Sequence, residues 1–120
     1  MTGLVDNSGR ALLRIRLRDP VSATEFELDS WIDTGFTGEL VIPLQQVVRF
    51  NLPLGSAIRA GLADGSEVEL NAYTCLLDWF GEWKQIEVIA NEGQFPLLGV
   101  GLLLDHALYI DYPGKTLSVT

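Results

Sequence analysis

Between Leu13 and Arg18 apolar and charged residues alternate one for one, and this period of two constrains the fold more than any other feature of the chain. It places Leu13, Ile15 and Leu17 on one face of a strand and Arg14, Arg16 and Arg18 on the other. Asp19-Pro20 interrupts the run, and Glu25 to Ile32 resumes it with Phe26, Leu28 and Ile32 on one side. Two such runs predict a β-hairpin with one dry face and one wet face. The arginines, Arg10 included, then belong to the wet face of a strand and do not form a basic patch.

The rest of the chain reads mostly as short strands. Leu40 to Ile42 is an apolar strand ended by Pro43. Pro43 to Phe50 predicts a helix with proline at its first position and Leu44, Val47 and Val48 as its buried side. Ala63-Asp64-Gly65-Ser66 predicts a second hairpin, with Asp-Gly supplying the positive φ angles of a type I′ turn. Its second arm runs through Val68, Leu70 and Ala72 to Leu77, and Gly81 turns the chain into Ile86 to Ile89. Phe95 to Leu98 leads into Gly99 and a short helix near Leu102 to Ala107. Leu108 to Tyr112, a Pro113-Gly114 turn and Thr116 to Thr120 predict a last hairpin, the final segment being an edge open to another chain.

No linker, repeat or low-complexity segment divides the 120 residues, so residues 1–120 are expected to form one domain around a single core. The net charge of −8 repels phosphate backbones and argues against nucleic-acid binding. Cys75 is the only cysteine, which excludes an intrachain disulfide and a thiolate metal cluster and predicts an inert, half-buried thiol. Met1 to Arg10 has no apolar core of the signal-peptide kind, and Phe95 to Leu104 is too short to span a bilayer. A soluble, cytoplasmic protein without membrane contact is the expectation. Asp6, Asp19, Asp29, Asp78 and Asp111 show no metal-ligand spacing, no phosphate-binding glycine loop occurs, and no cofactor is expected. His106, beside Asp105, reads as a helix-end histidine meeting terminal carbonyls. Trp79, Phe80 and Trp83 flank Gly81; they either pack across a hairpin or form an exposed patch.

One segment carries chemistry. Asp33-Thr34-Gly35 follows an apolar strand and opens the turn Phe36-Thr37-Gly38, where backbone N–H groups can hold a carboxylate. Read locally, Asp33 is either such a held carboxylate or an ordinary turn residue. The longer run from Trp31 to Pro43 resembles the active-site segment of bacterial members of the retropepsin-like aspartic peptidase clan. Leu97-Leu98-Gly99 resembles that clan's second signature, and the Asp64-Gly65 hairpin falls between the two, where the family's flap lies. The resemblance implies a mostly-β, single-domain acid-protease barrel with one or two short helices.

It also implies an aspartic endopeptidase without a cofactor, acting on peptide or protein substrates. One chain carries one Asp-Thr-Gly, so Asp33 would be catalytic only beside Asp33 of a second copy, in a homodimer. Thr34 would brace the opposite loop through its hydroxyl, and Gly35 would let the two backbones approach. Phe36, the Asp64-Gly65 flap and Leu97, Leu98 and Gly99 would line the substrate pocket, the bulk of Phe36 narrowing its choice. Retroviral members place an ion pair at the positions of Thr37 and Val100; here both halves are absent together, so no buried charge is stranded. Phe36 stands where pepsin-like members have a hydroxyl donor to the carboxylate. With that donor gone the expected activity optimum moves from strongly acidic to mildly acidic or near-neutral pH. The alternative is a retropepsin-like domain of little or no activity that serves as a binding or dimerisation module.

Overall fold

The computed structural model describes the backbone of residues 1–120 and the side chains of all of them except residues 56–58 and 60. Ten strands form one sheet: β1 (Thr2–Val5), β2 (Ala11–Arg18), β3 (Glu25–Ile32), β4 (Leu40–Pro43), β5 (Leu54–Gly61), β6 (Glu67–Trp79), β7 (Glu82–Asn91), β8 (Leu97–Leu98), β9 (Leu108–Asp111) and β10 (Thr116–Val119). One helix, α1 (Leu44–Arg49), follows β4, and a 3₁₀ turn, Val100–Leu102, follows β8. The sheet order is β5-β6-β7-β4-β8-β3-β2-β1-β10-β9, with a further pairing of β6 to β2. That pairing, Leu17 to Leu77 and Arg18 to Leu76, closes β6-β7-β4-β8-β3-β2 into a barrel. The terminal strands β1, β10 and β9 extend from the start of β2.

The period-two reading of β2 and β3 holds. Ala11, Leu13, Ile15 and Leu17 are buried, and Phe26, Leu28 and Ile32 meet them from β3. Ser30 shares that dry face at full burial, and its hydroxyl donates to Leu13 O at 2.8 Å, which leaves no polar atom stranded. On the wet face Arg14 pairs with Glu27 and Asp29, and Arg16 with Glu25 and Asp78. Such exposed pairs contribute about 0–1 kcal/mol each, so the core, not the charges, sets the register.

Four local expectations are corrected. Pro43 is still strand-paired to Asn91 and caps α1 from outside; of the three residues assigned to its buried side only Val47 is buried, while Leu44 and Val48 are exposed. Six residues give little more than one turn and a half, too short to bury a whole stripe. The Asp64-Gly65 turn is not type I′. Gly65 N–H donates to Leu62 O, Leu62 N–H to Ser66 O, and only Gly65 has positive φ, so a type I turn is followed by a glycine bulge. The type I′ geometry occurs instead at Phe80-Gly81, between paired Trp79 and Glu82, with φ of 54° and 85°.

The helix expected near Leu102 to Ala107 is the 3₁₀ turn at Val100–Leu102, extended by i→i−3 bonds from Leu103 and His106. Gly99 and Gly101 weaken helix propensity there, and the N–H groups of Val100 and Gly101 are drawn to another loop. Finally, Thr116 to Thr120 is no edge: β10 lies between β1 and β9, and β9 is the open strand. Sequence pattern alone marks no strand at β1, and it is β1 that covers β10. Among the described residues no helix is long and apolar enough to cross a membrane.

Candidate active site

β8 is only two residues long, yet it organises the site. It lies parallel to β3 (Trp31 to Leu97, Ile32 to Leu98) and antiparallel to β4 (Leu40 to Leu98, Val41 to Leu97). The loop from Asp33 to Glu39, which joins β3 to β4, must therefore arch over the end of β8. Asp33 N–H continues the parallel ladder by donating to Leu98 O at 2.9 Å. Beyond it, Gly99 N–H donates to Glu39 O, Val100 N–H to Phe36 O and Gly101 N–H to Gly38 O, at 2.8–2.9 Å. These bonds clamp the Asp33 loop to the segment that follows Leu98 at both ends and in the middle.

The glycines make the clamp possible by their lack of a side chain. A Cβ on Gly99 would overlap Gly38 O and stand 2.7 Å from Phe36 O, and one on Gly101 would stand 2.8 Å from Gly38 O. The Phe36 ring lies over Gly38 and against Gly99, within the loop's own fold. Asp33 itself is half-buried, and its Oδ1 accepts the Gly35 N–H at 2.9 Å in a tight Asx turn. Phe36 N–H closes the same turn onto Asp33 O at 3.2 Å. Thr34 and Thr37 are exposed, and among the described residues neither hydroxyl bonds to the carboxylate.

Asp33, Thr34, Gly35, Phe36, Leu97, Leu98 and Gly99 are thus brought together. Asp64 and Gly65 are not: they sit at the tip of the β5–β6 hairpin, where Asp64 Oδ1 accepts from Ser66 N–H and Oγ–H. Those hydrogen bonds, the Ser66 hydroxyl first, hold the Asp64 carboxyl below its ordinary range. A concavity of about 410 Å³ lies between that hairpin, β7 and Glu39, and another of about 530 Å³ between α1 and residues 91–94; neither includes Asp33.

An aromatic cluster built on Trp31 escapes the sequence reading. Trp31, two residues before Asp33 on β3, is 39% exposed and meets Phe95 edge-on at 6.1 Å. The Arg10 guanidinium lies 4.2 Å above the Phe95 ring and is fixed by Asp6, Nε to Oδ2 at 2.7 Å. Bonds from Arg10, its backbone N–H first, hold the Asp6 carboxyl below the usual range. The signal is present in the alternation, since Trp31 is an outward position of β3 carrying a large aromatic.

The other singled-out residues are structural. His106 does not meet helix carbonyls: its Nε2 accepts from Trp79 Nε1–H at 3.2 Å, and its Nδ1 lies 3.1 Å from Thr120 O. Phe80 stacks on it at 4.6 Å. Trp79 is buried and Trp83 is covered by Arg16 and Arg18, while Phe80 stays 43% exposed. Cys75 is fully buried, and burial pushes its thiol up to about 11. Among the described residues no three His, Cys, Asp or Glu side chains converge as a metal site requires.

No family model and no curated protein matches the sequence. Solved structures do match the fold. A retropepsin-like aspartic protease from Rickettsia conorii superposes with a TM-score of 0.67 at 17% identity, over 98% of this chain and 86% of that one. EIAV protease, solved with an inhibitor, superposes with a TM-score of 0.57 at 17% identity, over 83% of this chain and 90% of that one. Identities this low speak to architecture alone, and by those superpositions the chain has the retropepsin-like fold of the aspartic proteases.

Proposed function

We propose that residues 1–120 form one aspartic endopeptidase domain whose active site is assembled from Asp33 of two copies. The observation that carries this reading is the clamped loop. It holds a half-buried carboxylate by a single backbone N–H, with the neighbouring Thr34 and Gly35 exposed for approach. A carboxylate fixed this way in one chain is half of an acid–base pair. Two such groups brought together share one proton, because like charges at close range oppose a second ionisation. The ionised member takes a proton from water as the water attacks the scissile carbonyl. The protonated member donates to the carbonyl oxygen, giving a diol. The diol then collapses: the C–N bond breaks as the carboxyl that took the water proton gives it to the departing amine, and the other carboxylate recovers a proton from the diol. No covalent bond to the enzyme forms.

In this reading Thr34 braces the second loop, and the Asp64-Gly65 hairpin closes over a bound peptide to exclude water. Phe36 with Leu97, Leu98 and Gly99 backs the pocket; because the Phe36 ring is folded onto Gly38 and Gly99, it shapes the floor of the loop. Peptide or protein is the substrate, and no cofactor, nucleic acid or membrane takes part. A cytoplasmic location completes the proposal.

Asp33→Asn tests it. The side-chain amide keeps an oxygen that can accept from Gly35 N–H, so the fold should persist while peptide cleavage falls by at least about a thousandfold. Cleavage at the wild-type rate would refute the assignment. The neutral Thr37 and Val100, where retroviral members carry an ion pair, favour a second reading: a domain that binds or dimerises without cleaving. It predicts intact substrate and unchanged partner binding in the Asp33→Asn protein.

A further inference from the structure

The cavity of about 530 Å³ between α1 and residues 91–94 has a fixed frame. Pro43, the last residue of β4, is strand-paired to Asn91, the last residue of β7, so the start of the helix and the start of the loop are held side by side. Asn91 Oδ1 accepts the Gly93 N–H at 3.1 Å, which sets the bend of the loop wall. A frame of this kind is preformed, as small-ligand sites usually are.

The lining is polar and lopsided in charge. Side-chain amides come from Gln45, Gln46, Asn91 and Gln94, and the one charged lining residue is Glu92. Glu92 is exposed, and among the described residues no lysine, arginine or histidine pairs with it. Among the described residues Gln46 Oε1 is the one buried side-chain nitrogen or oxygen without a hydrogen-bond partner. An acceptor held unpaired away from water opposes folding, so such an atom is uncommon. The terminal torsion of glutamine is soft, and a donor in the cavity can draw that oxygen toward it at little cost. Pro43 and Leu44, the latter 40% exposed, add apolar surface on which a hydrocarbon stem can lie.

We propose that this cavity binds an alkylammonium group, whose N–H donors go to Gln46 Oε1 and the Glu92 carboxylate while its stem lies on Leu44. Glu92 opposes an anion. A single carboxylate is too few for a divalent metal ion, and among the described residues no three metal-ligating side chains converge. The two acceptors stand on opposite walls, one on α1 and one on the loop. That suits the three freely turning donors of an ammonium better than the planar fork of a guanidinium, which matches two oxygens of one carboxylate. The same chemistry reaches the protein as a lysine side chain of a peptide or as a free amine. Asp33 is not part of the lining, so the site stands apart from the peptidase reading. It does lie on both segments that hold the Asp33 loop, since β4 begins directly after Glu39 and residues 91–94 lead through Phe95 into β8.

The test is a titration of ¹⁵N-labelled protein with Nα-acetyl-lysine amide. Saturable shifts are expected at the Gln46 side-chain amide and at the backbone N–H groups of residues 91–94. The neutral Nα-acetyl-norleucine amide should leave those signals in place at the same concentration. Glu92→Gln and Gln46→Met should each raise the dissociation constant about tenfold, the loss of one charge-assisted hydrogen bond, read from the loop signals. Both changes preserve size, Glu92 is exposed and methionine is a good helix former, so the fold should hold. Glu82→Gln, an exposed carboxylate on the far turn, controls for net charge and should leave binding unchanged.

Tighter binding of Nα-acetyl-lysine amide than of n-butylamine would assign the site to peptides, and equal binding would assign it to free amines. No saturable shift, equal shifts with the norleucine compound, or weakening by Glu82→Gln as large as by Glu92→Gln would overturn the proposal. So would binding that neither Glu92→Gln nor Gln46→Met weakens.

Discussion

Gly99 has φ of −98° and ψ of 175°, a conformation open to any residue, so the demand for glycine there is one of space. A methyl group would press on the carbonyl of Gly38 and stand 2.7 Å from that of Phe36, two of the acceptors of the clamp. Gly99→Ala is therefore expected to lower stability by about 3 kcal/mol, read as a shift of the urea midpoint. Peptide cleavage should fall further than the unfolded fraction explains. Cys75 makes a second residue-scale case. Its S–H donates to Arg18 O, and burial pushes the thiol up to about 11, so at about pH 8 the folded protein should resist a disulfide reagent that labels it at once in denaturant. Fast labelling of native protein would show that the strand opens far more easily than its burial implies. Asp33 is visible in the sequence because Asp-Thr-Gly closes an apolar strand and the longer run to Pro43 resembles a known active-site segment; the tripeptide alone leaves an ordinary turn open. The cluster of Trp31, Phe95 and Arg10 is not visible, since residues far apart in sequence meet only through the pairing of β3 with β8.

Hairpins show where local sequence suffices and where it does not. β2 and β3 are legible because one dry face imposes strict alternation, and even their connection is marked by Asp19-Pro20. Asp19 is 4% exposed; its carboxylate accepts from Val21 N–H at 2.9 Å and from the Ser22 hydroxyl at 2.8 Å. Those bonds, Val21 first, hold its carboxyl below the ordinary value of 3.8. A carboxyl lowered in the folded state adds stability that is complete above its unfolded value and is lost as pH falls through the folded one. Asp19→Asn, which keeps one acceptor and loses the charge, should cost about 1 kcal/mol at neutral pH. The difference from wild type should narrow as pH falls through 3.8 and on through the lowered folded value, as urea titrations across that range would register. A difference that stays constant through that whole range would mean that the charge plays no part. Turn type is less legible. Asp64-Gly65 resembles a type I′ pair, but a three-residue loop needs positive φ only at Gly65. Phe80-Gly81 adopts type I′ although phenylalanine disfavours positive φ, and Phe80 gains a stacked partner in His106. No local rule foresees that trade.

At the scale of the whole molecule, the closed barrel and the terminal sheet answer different needs. Pairing β2 to β6 closes the core of one chain, whereas β9 is left as an edge with Leu108 and Ile110 half-covered. Sequence alone does not show which terminal strand is outermost, because that depends on β1, four residues with a single buried side chain and no alternation to mark it. If two copies complete the site, cleavage per chain should fall on dilution through the dimer dissociation constant, and sedimentation should place the transition at the same concentration. The most direct test of the central claim mixes two proteins. Wild-type chain at fixed concentration is equilibrated with a threefold excess of Asp33→Asn chain, well above the dissociation constant, and peptide cleavage is measured. If each site draws one carboxylate from each copy, mixed dimers are dead and random exchange leaves about one quarter of the starting activity. Activity unchanged by the excess would show that a single Asp33 suffices, and would contradict the account.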